Sequence, residues 1–384
     1  MNESCPHVLS DAERLDWLRL IRSENVGPIT FWRLMERFGS AGRALDALPD
    51  LARRGGRGMT ACAVADAERE MESVVKAGAR LVARGEPDYP PLLAHIEDAP
   101  PLLAMIGSGD LFANPAVAVV GARNASINGT RFAQKLAADL GGAGVLVVSG
   151  LARGIDAAAH AGALETGTAA VVAGGIDVVY PEENAALRDE IAERGALVSE
   201  VEPGVQPQAS HFPRRNRLIS GIARGTVVVE AGPRSGSLIT ARMALEQGRE
   251  VFAVPGSPLD PRSRGGNDLL RQGATLTESA EDVLTVLAEM APARRQPTPA
   301  DFLASEPEAL PGSDLDAAHR AVTEMLSPVP VTVDELVRAC HMSPAVVATA
   351  VLELELAGRL ERHPGNRISL IANVRADGQP QRGS

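Results

Sequence analysis

Between Ala116 and about Leu287 the chain alternates short apolar runs with longer amphipathic ones. This alternation restricts the fold more than any other feature. Strands are expected at Val117–Val120, Val145–Val148, Ala169–Ala173, Val227–Val229 and Val251–Val254, with a shorter one at Leu197–Val198. Helices are expected after Gly129, Gly154, Asn184, Pro213, Ser237 and Asn267. Strands that are apolar throughout are buried on both faces, and a helix between each pair makes neighbours parallel. The prediction is an α/β fold with a doubly wound, mostly parallel sheet. Ligands of such sheets sit at the carboxyl ends of the strands.

The loops at those ends are rich in small residues. They read Gly121-Ala122-Arg123-Asn124, Ser149-Gly150-Leu151-Ala152-Arg153-Gly154-Ile155-Asp156, Ala173-Gly174-Gly175 and Ala231-Gly232-Pro233-Arg234-Ser235-Gly236-Ser237. Small side chains let a ligand approach the backbone, and free N–H groups at each helix start favour anions. With Arg123, Arg153 and Arg234 added, the loops make an anion-binding rim. Individual glycines also serve tight turns. Within His211–Gln247 a helix is expected to begin at Pro213, since proline suits the first helical position. Arg214, Arg215 and Arg217 then fall in its first turn, where each exposed cation opposes the helix dipole by about 0.3–1 kcal/mol. Either these arginines hold an anion, or they are solvated or paired with Glu200 or Glu230.

Several chemistries lack their signatures. The chain has no G-x-x-x-x-G-K-[ST] and no G-x-G-x-x-G after the first strand, which argues against a P-loop ATPase and an ordinary dinucleotide site. Asp156 and His160 share a helix face without a third ligand, so capping and packing are expected of them rather than metal binding. No Ser-His-Asp or Cys-His set stands out. The rim is therefore expected to hold phosphates without breaking bonds, with no catalytic residue, metal or cofactor. The net charge of −11 argues against a surface that coats duplex DNA, and is compatible with a local basic groove. Cys5, Cys62 and Cys340 are too far apart for a disulfide framework or zinc site. No apolar run reaches membrane-spanning length and the first residues lack a secretory pattern, so a cytoplasmic protein is expected.

Residues 1–75 read as a helical domain. Ser10 and Glu13 form a capping box, and Gly27-Pro28 between two helices is similar to a helix-hairpin-helix unit. With a single glycine in its hairpin and Glu24 just before it, this unit is expected to pack or to contact protein. Residues 76–290 form the sheet domain, 291–314 a Pro-rich linker, 315–371 a winged helix and 372–384 a disordered tail. The winged helix's third helix, from Ser343-Pro344, offers no cation before Arg359 and carries Glu353 and Glu355. A helix that reads a major groove normally carries basic or amide side chains. A protein-contact or regulatory role is expected, with weak duplex contact left to Arg359, Arg362 and Arg367.

The runs VVGARNASINGTRFAQKLA, SGLARGIDAAAHAGALETGT, Tyr180-Pro181, FPRRNRLISG, VVVEAGPRSGSLITARMALEQGR and VFAVPGS stand in the order found in the DNA processing protein A (DprA/Smf) family. The resemblance covers roughly residues 88–280. It implies an extended Rossmann-type domain between an N-terminal helical (SAM or helix-hairpin-helix-like) domain and a winged helix. It also implies a homodimer that binds single-stranded DNA and helps load RecA in transformation or recombination, without catalysis. Carried over by position, the DNA-binding residues are Gly121, Arg123, Gly150, Arg153, Gly154, Phe212, Arg215, Asn216, Arg217, Ser235, Gly236 and Ser237. Ala122 and Glu182 depart from the family's pattern, by a lost hydroxyl and by an acid where a basic residue occurs in relatives. Leu269 and Leu270 are candidates for the dimer face or for the core. The rival class is an enzyme, the nucleotide-cleaving phosphoribohydrolases often labelled lysine-decarboxylase-like. Their Pro-Gly-Gly-x-Gly-Thr motif is followed by a glutamate, and no acid follows Gly232–Ser237 within the next turn. A small-nucleotide sensor is a third reading.

Overall fold

The structure is a computed structural model that describes residues 8–56, 59–290, 312–363 and 365–371. These residues fall into two compact units. One holds residues 8–18 and 64–290, the other residues 19–56, 59–63 and those described from 312 onward. The linker expected at 291–314 lies largely outside the described residues, and the tail at 372–384 entirely so.

The chain begins with helices α1 (Asp11–Ile21), α2 (Pro28–Phe38), α3 (Ala41–Arg54) and α4 (Val64–Lys76). Strands β1 (Arg80–Ala83), β2 (Leu102–Gly107) and β3 (Ala116–Val120) follow. Then come α5 (Ile127–Gly142), β4 (Leu146–Ser149), α6 (Ile155–Ala163), β5 (Thr168–Val171), α7 (Ala185–Arg194) and β6 (Ala196–Ser199). The alternation continues through α8 (His211–Ile222), β7 (Gly225–Val228), α9 (Gly236–Glu246), β8 (Glu250–Ala253), α10 (Arg264–Arg271), β9 (Thr275–Leu276) and α11 (Ala280–Glu289). The last elements are α12 (Gly312–Met325), β10 (Val331–Thr332), α13 (Val333–Cys340), α14 (Pro344–Leu356), β11 (Leu360–His363) and β12 (Arg367–Leu370).

In the first unit nine strands form one sheet, in the order β1-β2-β6-β5-β4-β3-β7-β8-β9. From β6 to β9 all neighbours are parallel, while β2 joins β6, and β1 joins β2, antiparallel. The side-chain period of two along each strand builds two cores. Val117, Val119, Val147 and Val227 face one side with residues of α5, α6 and α11, and Ala118, Val120, Val148 and Val228 face the other with α8 and α9. The strand order reverses at β3, which has β4 on one side and β7 on the other. Connections leave β3 and β7 in opposite directions there, which opens a crevice at the strand ends.

Two strands were not expected. β2 follows Pro100-Pro101, and the proline-punctuated run from Ala99 to Leu103 has in sequence the look of a turn rather than a strand. Proline lacks an N–H and so stands before a strand more readily than inside it. β9 is only two residues long. The edge strand β1 is closed to further pairing, because Arg14 Nη1 donates to Leu81 O at 2.7 Å and Ala83 N donates to Glu86 Oε2 at 2.8 Å. α8 starts at His211 rather than Pro213. Proline is accommodated there because first-turn amides have no partner within the helix.

In the second unit α14 packs against α12 and α3. The acids that make α14 a poor groove reader serve this packing. Glu353 is fully buried, 2.9 Å from His319 Nε2 and 3.9 Å from Arg54 Nη1. Glu355 accepts from Thr30 Oγ1 at 2.8 Å and pairs with Arg362. Asn25 Nδ2 donates to Leu356 O at 3.1 Å. In the structure these groups of α14 are engaged by the chain's own N-terminal helices. A β-carbon at Gly55, just after α3, would collide with the backbone carbonyl of Glu353. Because Gly55 has an ordinary φ of −69°, Gly55→Ala tests packing alone. It is expected to destabilise this unit by about 1–3 kcal/mol, as overpacking does, read as earlier proteolytic cutting within 312–371.

Candidate nucleic-acid interface

The strand-end loops of the first unit enclose a cavity of about 250 Å³. Arg123 and Asn124 line it after β3, Gly150–Arg153 after β4, and Val172–Gly174 after β5. Val178, Tyr180 and Pro181 close one side, and Phe212 and Arg215 reach in from α8. Of the residues expected at the interface, Arg123, Gly150, Arg153, Phe212 and Arg215 line this cavity.

Arg215 is the unusual member. It is 6% exposed, and its Nε and Nη1, themselves buried, have no hydrogen-bond partner among the described residues. Its guanidinium rests on Gly150, where any β-carbon would land on Nη1. Burial, with help from Arg123 and against Asp156, pushes its pKa down to about 10, so it remains a cation at neutral pH. A buried cation with unused donors loses hydration without full compensation, and an anion in the cavity would offset its charge.

The other walls are built around this group. Arg123 is exposed, with its guanidinium 4.9 Å from the centre of the Phe212 ring. Tyr180, also exposed, has its ring centre 5.8 Å from that of Phe212. Arg153 is tied at the rim to Glu183, 2.6 Å away. Gly154 has φ +74°, and its α-carbon lies against the carbonyls of Ala122 and Arg123. Gly121 admits Ile155 in the same way. These two glycines join the first two loops and do not line the cavity.

Helix starts differ in what they leave open. The first turn of α5 is filled by an internal anion, since Glu230 accepts from Ser126 N at 2.9 Å and Ser126 Oγ at 2.5 Å. At α6 the carboxylate of Asp156 turns back to Ala152 N, 3.4 Å away. At α9 Ser235 caps Ser237 N, and the two hydroxyls are 2.7 Å apart. Asn216 Nδ2 reaches Gly236 O at 3.4 Å. Ser235, Gly236 and Ser237 thus meet α8 through Asn216 and stand outside the cavity lining.

Arg217 takes a different place from the one expected. Its side chain is 10% exposed and turned inward, where it pairs with Glu200, donates to Asp98 O at 2.7 Å and lies 3.3 Å from Asp98 Oδ2. Burial opposes its charge, but Glu200 and Asp98 outweigh burial and hold its pKa above the usual value. It braces α8 against neighbouring loops. Arginines two apart on a helix point about 200° apart, so Arg215 and Arg217 cannot both face the cavity. Leu269 is likewise a core residue, 9% exposed, and Leu270 packs partly buried beside the same core. Leu245, Leu259 and Leu276 are the leucines exposed among the described residues.

Sequence reasoning passed over Tyr180 as a lining residue and Asp156 as more than a cap. Asp156 is buried, and burial raises its pKa, opposed by Arg215 and by the amides of Ala152, Gly150 and Gly121. His160 is buried beside Thr168, its Nδ1 2.9 Å from Thr168 Oγ1. Burial and Arg215 lower its pKa to about 3, which keeps it neutral.

A family model described as DNA recombination-mediator protein A matches residues 80–288. The DprA-like N-terminal HHH domain matches residues 11–73, and the DprA winged helix domain residues 306–366. The chain belongs to the DprA/Smf family. Protein Smf of Synechocystis sp. is 30% identical over 394 residues, covering 94% of this chain and 99% of that protein. Protein Smf of Escherichia coli is 41% identical over 287 residues, covering 73% and 75%. The X-ray structure of DNA processing protein A from Streptococcus pneumoniae superposes with a TM-score of 0.62 at 37% identity, over 72% of this chain and 98% of that one. The matched DprA/Smf segment spans every residue that lines the cavity.

Proposed function

We propose that this recombination mediator binds single-stranded DNA across the strand ends, with a backbone phosphate on Arg215. The observation that carries this reading is a buried arginine that lines the cavity and keeps two donors without a partner among the described residues. Arg123 and Arg153 extend the charge along the rim. Tyr180 and Phe212 favour a single strand, because only unpaired bases can stack on aromatic side chains. Phosphate-led binding is sequence-tolerant and salt-sensitive. Each neutralised phosphate adds about 0.7 to the log–log salt slope for single strands. A labelled oligothymidylate, titrated by fluorescence anisotropy at two salt concentrations, is expected to bind more tightly than the same length of duplex. Equal or tighter duplex binding would overturn the reading.

Family membership supports the finer role, in which the chain protects incoming DNA, acts as a homodimer and helps load a RecA-type recombinase. Strand exchange begun on DNA coated with single-strand-binding protein tests the loading step, and light scattering tests the dimer. Leu259 and Leu276 suit a dimer face better than Leu269 does. The DNA-binding function needs no bond-breaking step. The nucleotide-cleaving alternative has one direct test: release of free base from nucleoside monophosphates would establish catalysis.

A further inference from the structure

A parallel sheet whose strand order reverses usually holds its ligand where the connections diverge. In this chain that place lies between the ends of β3 and β7. The cavity is displaced from it. Its strand-end walls follow β3, β4 and β5, and none of residues 229–235, after β7, lines it. The crevice between β3 and β7 is instead bridged by a side chain. Glu230, shortly after the end of β7, reaches across to the start of α5. Its Oε2 accepts from Ser126 N at 2.9 Å and its Oε1 from Ser126 Oγ at 2.5 Å.

The helix does not need this carboxylate as a cap. Ser126 is already the N-cap residue of α5, and its Oγ accepts from Gly129 N at 2.9 Å. The contact also constrains the sequence. A β-carbon at Gly129 would lie 2.5 Å from Glu230 Cδ, so the carboxyl group keeps its place only beside a glycine, and glycine weakens a helix interior. The helix start that follows the first parallel strand is where a doubly wound sheet normally receives a phosphate group. A carboxylate offers the same kind of charged oxygen acceptor, and here it takes that position. The surroundings suit an anion. Arg262 lies nearby, its pKa held above the usual value by Asp260 and, behind it, by Glu230. Backbone bonds close the far side, from Ala231 N to Arg262 O at 2.7 Å and from Gly265 N to Ala231 O at 2.8 Å.

We propose that Glu230 is a specificity-determining residue whose carboxylate holds the phosphate position at the start of α5 and shuts the β3–β7 crevice to phosphate groups, free or esterified. Phosphate binding is thereby left to the cavity on the other side of β3. The same contact gives a sheet of nucleotide-binding topology a reason not to hold a nucleotide at the reversal of its strand order. The proposal rests on Ser126, Gly129 and Glu230 and stands whether or not the cavity binds a single strand.

The test is Glu230→Ala in the full chain, titrated with inorganic phosphate against sodium chloride of equal ionic strength and followed by thermal melting. Without phosphate the variant should melt below the wild type, because Ser126 loses both bonds. Phosphate should then raise its melting temperature in a saturable way, by about 3–6 °C at roughly ten times the dissociation constant, and by more than it raises the wild type. The difference should persist when both proteins also carry Arg215→Leu, which removes the buried cation of the cavity. A purely structural role for Glu230 predicts a lower melting temperature that phosphate restores no better than chloride. That result, or an equal response in the wild type, would overturn the proposal. So would loss of the difference in the Arg215→Leu pair, since the phosphate would then lie in the cavity. If Glu230→Ala does not fold without phosphate, folding recovered in phosphate but not in chloride supports the proposal, and recovery in neither overturns it. Failure of the wild type to bind single strands would remove the strand-binding reading and leave this one in place.

Discussion

Arg215→Leu is expected to weaken binding of a single-stranded oligonucleotide by roughly 100-fold. The figure follows from the loss of one hydrogen bond between charged groups, which contributes about 1.5–3 kcal/mol. The salt slope should also fall by about 0.7, the loss of one phosphate contact. Arg215→Lys is not expected to restore binding. An ammonium is a point charge on a flexible stem and cannot present the planar fork of a guanidinium. Gly150 leaves room for that fork to lie flat. Anisotropy titrations at two salt concentrations measure both effects. A melting curve for each variant separates lost binding from lost folding. If Arg215→Leu remains folded and binds normally, the phosphate site lies elsewhere on the rim.

Arg217→Ala, two residues along the same helix, is expected to act on stability. Removing Arg217 leaves the half-buried Glu200 and Asp98 without their counter-charge, at a cost of about 1–3 kcal/mol. Glu200 and the Asp98 carbonyl are the groups left behind. Urea unfolding should show a lower midpoint. The salt slope of DNA binding, measured under conditions where the variant is folded, should be that of the wild type. A flattened slope with unchanged stability would return Arg217 to the groove. The pair of variants thus separates a cation that binds from a cation that braces, within one FPRRNR run.

The parallel sheet was legible because its signal is local and repeated. Runs such as Ala116–Val120 are apolar at every position, and only strands buried on both faces read that way. β2 was missed because its prolines look like turn residues until the chain after Pro101 is seen to pair with β6. β9 is too short to show any period. The winged helix is legible in part from Thr332 and Glu335, spaced as a capping box ahead of α13, and in the structure this box and the one at Ser10 and Glu13 are both present. Thr332 accepts from Glu335 N, and Ser10 from Glu13 N. That the N-terminal helices and the winged helix fold as one unit was not legible. Thr30 and Glu355 are 325 residues apart, and no local pattern reports such a contact.

The sequence alone determined the fold class, the loops at the strand ends and the presence of a basic segment among them. Those properties follow from hydrophobic period and residue size, which act over a few residues. Only the tertiary structure decided the role of each charge. Arg215 and Arg217 have the same chemistry and nearly the same neighbours in sequence. The rotation of α8 turns one toward an open cavity and the other toward Glu200 and Asp98. The same holds for acids. Glu230 fills a helix start, Glu353 joins two ends of the chain, and Asp156 turns back to the amide of Ala152. What a buried charge does depends on which opposite charge reaches it, and those partners come from distant parts of the chain.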